Sequence, residues 1–217
     1  MVQIFIFTGE FILKMQENLK IYLASGSPRR RFLLHELGLN FEVIKPDVNE
    51  KILPDEKPED LCARLAKIKC GAIARELKVN NALVIAADTI VVINNKILGK
   101  PKDFDNALEM LSLLQGREHE VLTGIALSFN NKLISSFEKT RVKFRALTHA
   151  QIEAYINSGE CMDKAGAYAI QGKGSLLIES IHGDYFNVVG LPVCLMGELL
   201  EQNFNFKLEN LLNLNHE

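Results

Sequence analysis

The chain has 217 residues and a formal net charge of −2 at pH 7, and this length suffices for one domain of mixed class or for two small lobes. The charge argues against a general nucleic-acid-binding protein, because that function needs a basic face with many phosphate contacts. Any anion site must therefore be local. The cysteines form no Cys-x-x-Cys pair and no zinc-like cluster with histidines, so we expect free thiols in a reducing cytoplasm. The four cysteines are Cys62, Cys70, Cys161 and Cys194.

Residues 1–14 are largely apolar, yet they lack the basic segment and the small-residue cleavage site of a signal peptide. Glu10 interrupts them well short of a bilayer-spanning length, and no other stretch of the sequence is a candidate span. We therefore expect no membrane association. The predicted organisation is an N-terminal extension of unknown role over residues 1–14, followed by a single domain over residues 15–217.

The first predicted elements form a strand, a turn and a helix. A strand over residues 21–24 runs into a Ser-Gly-Ser turn at residues 25–27, and a helix opens at Pro28. The free N–H groups and the positive dipole end of such a helix favour an anion. Arg29 and Arg30 are unfavourable there unless a bound polyanion reverses the sign of the interaction. The segment predicts a phosphate site, and a Ser-capped helix with surface arginines is the alternative.

The chain continues with a short strand over residues 41–44 and an acidic, proline-marked loop over residues 46–58, which contains Glu50. A helix follows, and its apolar stripe puts Lys69 at the edge of the buried face. Residues 82–93 form a near-continuous apolar run, which is typical of a strand covered on both faces. In the predicted helix that contains Lys69, the apolar stripe consists of Leu61, Leu65, Ile68 and Ala72.

Helices and strands keep alternating in the second half of the chain. They are predicted from apolar periodicity, glycine stops, an Asn-Asn turn and a Thr-x-x-Gln capping box. This order, with an adjacent antiparallel pair, predicts an α/β fold around a mixed sheet. The elements are a helix with the apolar stripe Phe104, Ala107, Leu108, Leu111 and Leu114 stopped by Gly116, strands over residues 121–129 and 133–144 joined by Asn130-Asn131, a helix between the Thr148/Gln151 box and Gly159, and a helix from Pro192.

Asp88 needs an explanation, because an unpaired carboxylate within an apolar strand costs several kcal/mol of desolvation. We expect it to lie at a strand end or to be paired with a cation. A metal ion would offset the cost and would use the charge to hold a water or a phosphate oxygen. The alternative is a structural carboxylate that caps a neighbouring backbone turn.

Several charged residues gain meaning only as a set. Arg29, Arg30, Lys69 and Lys100 could together neutralise a triphosphate. Glu50 and Asp88 could hold the divalent ion that such a substrate carries. Taken one at a time, Glu50, Lys69 and Lys100 are better explained as ordinary solvated surface residues.

A glycine-rich segment over residues 160–174 suits a loop whose backbone approaches a ligand closely. Gln171 in this segment offers both a donor and an acceptor and could hydrogen-bond to the edge of a base. The alternative for Gln171 is an ordinary loop amide. For Tyr168 the alternative to a site residue is a core aromatic.

Six motifs occur in order along the chain: Ser25-Gly-Ser-Pro-Arg-Arg, Ala87-Asp-Thr, Lys100-Pro, Thr123-Gly, the run from Asp163 to Gly172, and Asn187-Val-Val-Gly-Leu-Pro. Taken together, they resemble the Maf family of nucleoside triphosphate pyrophosphatases over roughly residues 20–202. Within that family the chain is most similar to the dTTP/UTP group, because Arg29 stands where the 7-methyl-GTP group has a bulky aromatic. Two residues depart from the family pattern, namely Ala169, where glycine is usual, and Phe186, where a small residue is common.

The resemblance implies a mixed sheet flanked by helices, two lobes around a nucleotide-binding cleft, a cytoplasmic location and often a homodimer. It also implies a Mg²⁺ or Mn²⁺ cofactor and hydrolysis of dTTP and UTP to the monophosphate and pyrophosphate. A nucleotide-binding regulator of cell division, with incidental hydrolysis, is the alternative. The resemblance assigns Asp88 as proton acceptor, Arg29, Thr89 and Gln171 to substrate choice, and Ser25, Arg30, Glu50, Lys69, Lys100 and Lys164 to the cleft. We expect Glu50 and Asp88 to bind the metal, and Ser25, Arg30, Lys69, Lys100 and Lys164 to bind substrate or phosphate.

Overall fold

The fold is built on one mixed β-sheet, and the computed structural model describes residues 19–77 and 81–209. The predicted N-terminal extension lies outside the described residues. The strands are β1 (Lys20–Leu23), β2 (Glu42–Val43), β3 (Ala82–Ile93), β4 (Lys96–Leu98), β5 (Glu118–Phe129), β6 (Lys132–Phe144) and β7 (Ile178–His182). The α-helices are α1 (Pro28–Glu36), α2 (Pro58–Leu77), α3 (Phe104–Leu114), α4 (His149–Asn157), α5 (Tyr185–Val189) and α6 (Val193–Phe204), with 3₁₀ turns at Ala165–Ala167 and Gly172–Leu177.

The sheet confirms the predicted α/β fold class. Its seven described strands follow the order β2-β1-β3-β5-β6-β7, and β4 also pairs with β3. β1 runs parallel to β2 and to β3, whereas the pairs β3–β4, β3–β5, β5–β6 and β6–β7 are antiparallel. β3 is therefore the strand at which the parallel and antiparallel parts of the sheet meet.

Both faces of β3 are covered, as its apolar run predicts. Side chains alternate between the faces of a strand, and those of Ile85 and Ala87 join the large core that includes residues of α1, α3, α4 and α6. Val84 and Ala86 pack instead with residues of α2 on the other face. By the same alternation, Asp88 faces α2 and Thr89 faces the large core. The side chains of Asp88 and Thr89, the two polar residues of this strand, thus lie on opposite faces of the sheet.

Helix α2 lies directly against β5 because Gly124 has no side chain. A Cβ atom at this position would be 2.0 Å from the backbone oxygen of Cys62, a distance at which the helix would have to move. Gly124 is also the register partner of Asp88 on the neighbouring strand. The close contact therefore holds α2 over the part of β3 that carries the acidic residue.

Several local signals in the sequence are confirmed. The Thr148/Gln151 capping box is present at α4, with both reciprocal hydrogen bonds. Asn130 and Asn131 have φ values of 47° and 64°, as a tight hairpin turn with two left-handed residues requires. Pro28 is the first residue of α1, as predicted. Strand β3 has the predicted bounds.

Other expectations are corrected by long-range packing. Asp88 does not lie at a strand end, because it is paired within the middle of β3. The buried side of α2 includes Cys62, Ala66 and Cys70, and Ala72 of the predicted stripe is only half-buried. Phe104 remains 37% exposed at the start of α3.

All four cysteines are free thiols, as predicted, and Cys194 is the exposed one among them. Burial raises the pKa of both Cys62 and Cys70 to about 12, which keeps these thiols protonated and unreactive at neutral pH. Within residues 19–77 and 81–209, none of the helices has the length and apolar character needed to cross a bilayer.

Candidate active site

The predicted site residues gather where one edge of β3 is left open. β1 pairs with β3 only as far as Ile85, and β4 pairs with it again from Val91 onward. Residues 86–90 lie beside no described strand on that edge. In open α/β sheets, ligands bind beyond the carboxyl ends of parallel strands, and the carboxyl end of β1, at Leu23, borders this gap. Asp88 and Thr89 lie in this gap.

Asp88 is paired with a cation, which was one of the two expectations for it. Lys69 Nζ of α2 lies 2.5 Å from Asp88 Oδ1 and 3.1 Å from Glu50 Oε1. The side chains of Lys69 and Asp88 are each 11% exposed, whereas that of Glu50 is 55% exposed. The alternative prediction, that Asp88 caps a neighbouring backbone turn, is wrong, because its partner is Lys69. One ammonium group therefore joins a buried carboxylate to a carboxylate that faces solvent.

The loop that carries Glu50 is fastened to α2 by a second ion pair. Arg64 of α2 contacts Glu56 through Nε at 2.5 Å and Nη2 at 2.7 Å. Arg64 Nη2 also donates to the backbone oxygen of Lys51 at 3.0 Å. A bidentate pair of this kind fixes both position and orientation. Glu50, one residue before Lys51, is thereby held near Lys69.

Arg30 is held by three acceptors from three parts of the chain. Its Nε donates to the backbone oxygen of Gly190 at 2.7 Å, Nη1 donates to Ser25 Oγ at 3.0 Å, and Nη2 donates to Thr89 Oγ1 at 3.1 Å. Gly190 has φ 123°, which favours glycine, and a Cβ there would lie 3.4 Å from Thr89 Oγ1. The side chain is therefore not the freely solvated arginine of the surface alternative.

The turn before α1 is organised around Ser25 rather than by an ordinary helix cap. Ser27 occupies the N-cap position, but its side chain makes no capping hydrogen bond. Instead, its backbone N–H donates to Ser25 Oγ at 3.2 Å.

Burial lowers the pKa of Arg30 to about 10 despite the opposing charge of Asp88. The guanidinium is thus still cationic at pH 7, at the start of a helix whose dipole favours an anion.

The glycine-rich segment after α4 lies next to the end of β4, the strand that borders the gap on one side. The N–H of Gly166 donates to the backbone oxygen of Gly99 at 3.0 Å, which places this segment beside the predicted phosphate-binding residue Lys100. Lys164 pairs with Asp163. Burial lowers the pKa of Arg29, and the charge of Asp163 opposes that shift, so this segment also lies near Arg29. Lys100 is exposed and Gln171 is half-buried.

Tyr168 is a core aromatic, which confirms the alternative given for this residue. It is 4% exposed, its ring packs edge-on against Phe144, and its hydroxyl lies 2.7 Å from His119 Nε2. Burial lowers the pKa of His119 to about 4, so its imidazole is neutral at pH 7. The pair joins the glycine-rich segment to β5. His119 was not among the predicted site residues, and a lone histidine in a strand gives little sign of such a contact.

Two further residues of the site were quoted only as parts of motifs. Thr123 Oγ1 lies 2.9 Å from Thr89 Oγ1 and donates to the backbone oxygen of Asn187 at 2.9 Å. Both Thr123 and Asn187 are fully buried. The Asn187 side chain in turn donates to Val121 O and to Thr140 Oγ1. These contacts connect the gap in β3 with α5.

A separate groove of about 660 Å³ lies towards the C-terminal end of α2. Its lining includes Gly71, Arg75, Val84 and Leu133, and it contains none of the predicted site residues. The convergence of charged and hydroxyl groups, rather than the volume of a groove, therefore marks the candidate active site.

The pattern of the family described as Maf-like protein matches residues 20–203. This chain belongs to the Maf family. Among its curated relatives, the dTTP/UTP pyrophosphatase of Clostridioides difficile (strain 630) is 47% identical over 192 residues, which cover 88% of this chain and 98% of the relative. The dTTP/UTP pyrophosphatase of Thermoanaerobacter sp. (strain X514) is 50% identical over 192 residues, covering 88% of this chain and 100% of the relative.

A third relative of this Maf chain, the dTTP/UTP pyrophosphatase of Bacillus cereus (strain G9842), is 45% identical over 185 residues, or 84% of this chain and 95% of the relative.

The two departures from the usual Maf pattern have different surroundings. Ala169 is buried, and its N–H donates to the Tyr155 hydroxyl at 3.2 Å. Phe186 is 44% exposed and contacts the ring of Tyr185.

Proposed function

We propose that this Maf protein hydrolyses dTTP and UTP between the α- and β-phosphates, releasing the nucleoside monophosphate and pyrophosphate. The observation that carries the proposal is the buried Asp88 carboxylate, held by Lys69 in a gap of the sheet that is bordered by cationic side chains. A binding protein would need the cations alone. The names of relatives that are 45–50% identical over most of the chain support the choice of nucleotides.

The cationic residues bind the triphosphate and stabilise the departing charge. Arg29, Arg30 and Lys100 offer donors to phosphate oxygens, and Lys69 and Lys164 can turn towards them from their carboxylate partners. Ser25 Oγ already accepts from Ser27 N–H and from Arg30, so its own proton is available to a phosphate oxygen. Arg30 needs no reorientation, because its three hydrogen bonds already fix the guanidinium.

Asp88 accepts a proton from the attacking water in the proposed reaction. The water oxygen forms a bond to the α-phosphorus as the bond from that phosphorus to the bridging oxygen breaks. The electron pair leaves with pyrophosphate, and the proton taken by Asp88 returns to solvent. The alternative role for Asp88 is to orient a metal ion, since metal ligation weakens a carboxylate as a base.

The carboxylates of Glu50 and Asp88 fit a divalent metal ion. They converge within hydrogen-bond distance of the same ammonium group, so a cation is already accommodated between them. Among the described residues, no group of three or more His, Cys, Asp or Glu side chains forms a complete metal site. A two-carboxylate set suits Mg²⁺ or Mn²⁺ that arrives with substrate phosphates as its remaining ligands. When bound, the ion would neutralise phosphate charge and polarise the phosphoryl oxygens.

The finer roles are proposals of the same kind. Arg29, Thr89 and Gln171 select the nucleotide, with Gln171 reading the edge of the base. A cytoplasmic location agrees with the free thiols. A homodimer is also proposed, and sedimentation at several protein concentrations tests it.

The experiment that tests the proposed function is product analysis with canonical and modified nucleoside triphosphates, in Mg²⁺ and then in Mn²⁺. The expected result is pyrophosphate and monophosphate from dTTP and UTP. Release of orthophosphate would mean that a different bond is cleaved. Tight binding of a triphosphate without turnover would favour the regulator of cell division.

A further inference from the structure

We infer that Thr123 is a positioning residue, which sets the direction of the Thr89 hydroxyl and through it holds the Arg30 guanidinium. The contacts that carry this inference join Arg30, Thr89, Thr123 and Asn187 in one line. Its effect on turnover rests on the proposed function. Its effect on the mobility of Arg30 does not.

The direction of every hydrogen bond in this line is determined by chemistry. A guanidinium only donates and a carbonyl oxygen only accepts. Arg30 therefore donates to Thr89 Oγ1, and Thr123 donates its single proton to the backbone oxygen of Asn187. The bond between the two threonines can then run only from Thr89 to Thr123. The Thr89 proton is consequently directed away from the substrate.

The two hydroxyls that flank Arg30 are left with opposite hydrogen-bonding character. Ser25 Oγ accepts two hydrogen bonds, so it keeps a proton to donate. Thr89 Oγ1 accepts from Arg30 and donates to Thr123, so it keeps only a lone pair. Phosphate oxygens need donors. Ser25 thus suits a phosphate, whereas Thr89 suits an N–H or O–H group of the nucleoside.

Thr123 determines this asymmetry from a position that substrate does not reach. It is 0% exposed, as is Asn187, and its hydroxyl bridges β3 to the backbone of α5. Without that hydroxyl, the Thr89 proton would be free to rotate towards the substrate. The oxygen of Thr89 would then no longer be held in place as an acceptor for Arg30.

The chain contains a closely matched control for Thr123. Thr140 of β6 is also 0% exposed, donates to a backbone oxygen, that of Asp184, at 2.9 Å, and accepts from Asn187 Nδ2 at 2.9 Å. It therefore has the same burial and the same number of hydrogen bonds. Neither Thr89 nor Arg30 is among its partners.

The test compares Thr123→Val, Thr123→Ser and Thr140→Val in two measurements. The first follows the Nε–H signal of Arg30 by NMR of protein labelled with ¹⁵N-arginine, without nucleotide, with Arg30→Lys to assign the signal. We expect faster exchange of this proton with solvent in Thr123→Val, and unchanged exchange in Thr123→Ser and Thr140→Val. The second measures KM for dTTP, which should rise about tenfold in Thr123→Val alone, because Arg30 is less well positioned.

KM separates positioning from general damage, since a smaller folded fraction lowers the apparent kcat and leaves KM unchanged. Unchanged Arg30 exchange in Thr123→Val, or an equal change in Thr140→Val, would overturn the inference. Thr123→Ala replaces Thr123→Val if the latter folds poorly. If the wild-type protein shows no turnover, the proposed function fails, and the NMR comparison still decides the role of Thr123.

Discussion

Lys69 forms a buried ion pair with Asp88, and the helix that supplies the lysine lies against the strand next to that of the aspartate. The pair explains how β3 tolerates a carboxylate among apolar residues. It also means that the cation beside Asp88 stays in place only while α2 is packed on the sheet.

Replacing Lys69 with methionine should destabilise the fold by about 3–5 kcal/mol, because it leaves a buried carboxylate without its cation. Urea denaturation of Lys69→Met and of the double variant Lys69→Met/Asp88→Asn measures this cost. The double variant should be the more stable of the two. Lys67→Met changes an exposed lysine of the same helix and should shift stability by no more than about 0.5 kcal/mol. Equal stability of Lys69→Met and Lys67→Met would contradict the account.

Lys69→Met should also bind Mn²⁺ more tightly than the wild-type protein does when nucleotide is absent. The ammonium group now lies between Glu50 and Asp88, and its removal leaves two carboxylates with no cation between them. Titration followed by the electron paramagnetic resonance of free Mn²⁺ measures the affinity. The gain should disappear in Lys69→Met/Glu50→Gln. Mn²⁺ affinity that is unaffected by either change would argue against a metal at this place.

Gly124→Ala should be among the most damaging small substitutions in the chain. Its Cβ would meet the backbone of α2 at Cys62, so we expect a loss of about 3 kcal/mol or more in the free energy of unfolding. Gly197→Ala is the matched control, because its Cβ would have no neighbour within 4 Å and lies inside α6. That change should stabilise the protein by about 0.5–1 kcal/mol. Similar unfolding curves for the two variants would rule out the close packing of α2 on β5.

His119 should make the fold sensitive to mild acid. Burial lowers its pKa from 6.5 to about 4, so between these values the unfolded chain binds a proton that the folded chain does not. Stability from this group is therefore complete above pH 6.5 and is lost as the pH falls from 6.5 to about 4, by about 3 kcal/mol in all. Urea midpoints at pH 7, 6 and 5 should fall less steeply in His119→Gln than in the wild type. His182→Gln, at an exposed site, should leave the slope unchanged.

Local sequence signals were enough to predict much of the fold. The capping box at Thr148, the turn at Asn130-Asn131 and the bounds of β3 depend on residues close together in the chain. They also identified Asp88 as a residue that needs a partner. The sequence does not show which cation pairs with Asp88, because Lys69 contacts Asp88 only after α2 has packed on the sheet.

The hydroxyl contacts were out of reach for the same reason. Thr89 and Thr123 are 34 residues apart, and Thr123 and Asn187 are 64 apart, so no periodicity relates them. The sequence of Arg29 and Arg30 likewise could not tell that Arg30 alone is tied to the gap by three hydrogen bonds. A resemblance can name such positions, but the geometry is needed to say what each hydroxyl and each charge can do.

The role of Asp88 is tested by the rate of pyrophosphate release from dTTP by Asp88→Asn and by the wild-type protein, with nucleotide affinity measured on the same samples. We expect the variant to lose about 10²-fold or more in turnover, as the removal of a general base does, while still binding dTTP. Near-normal turnover by Asp88→Asn would contradict the central role given to this carboxylate.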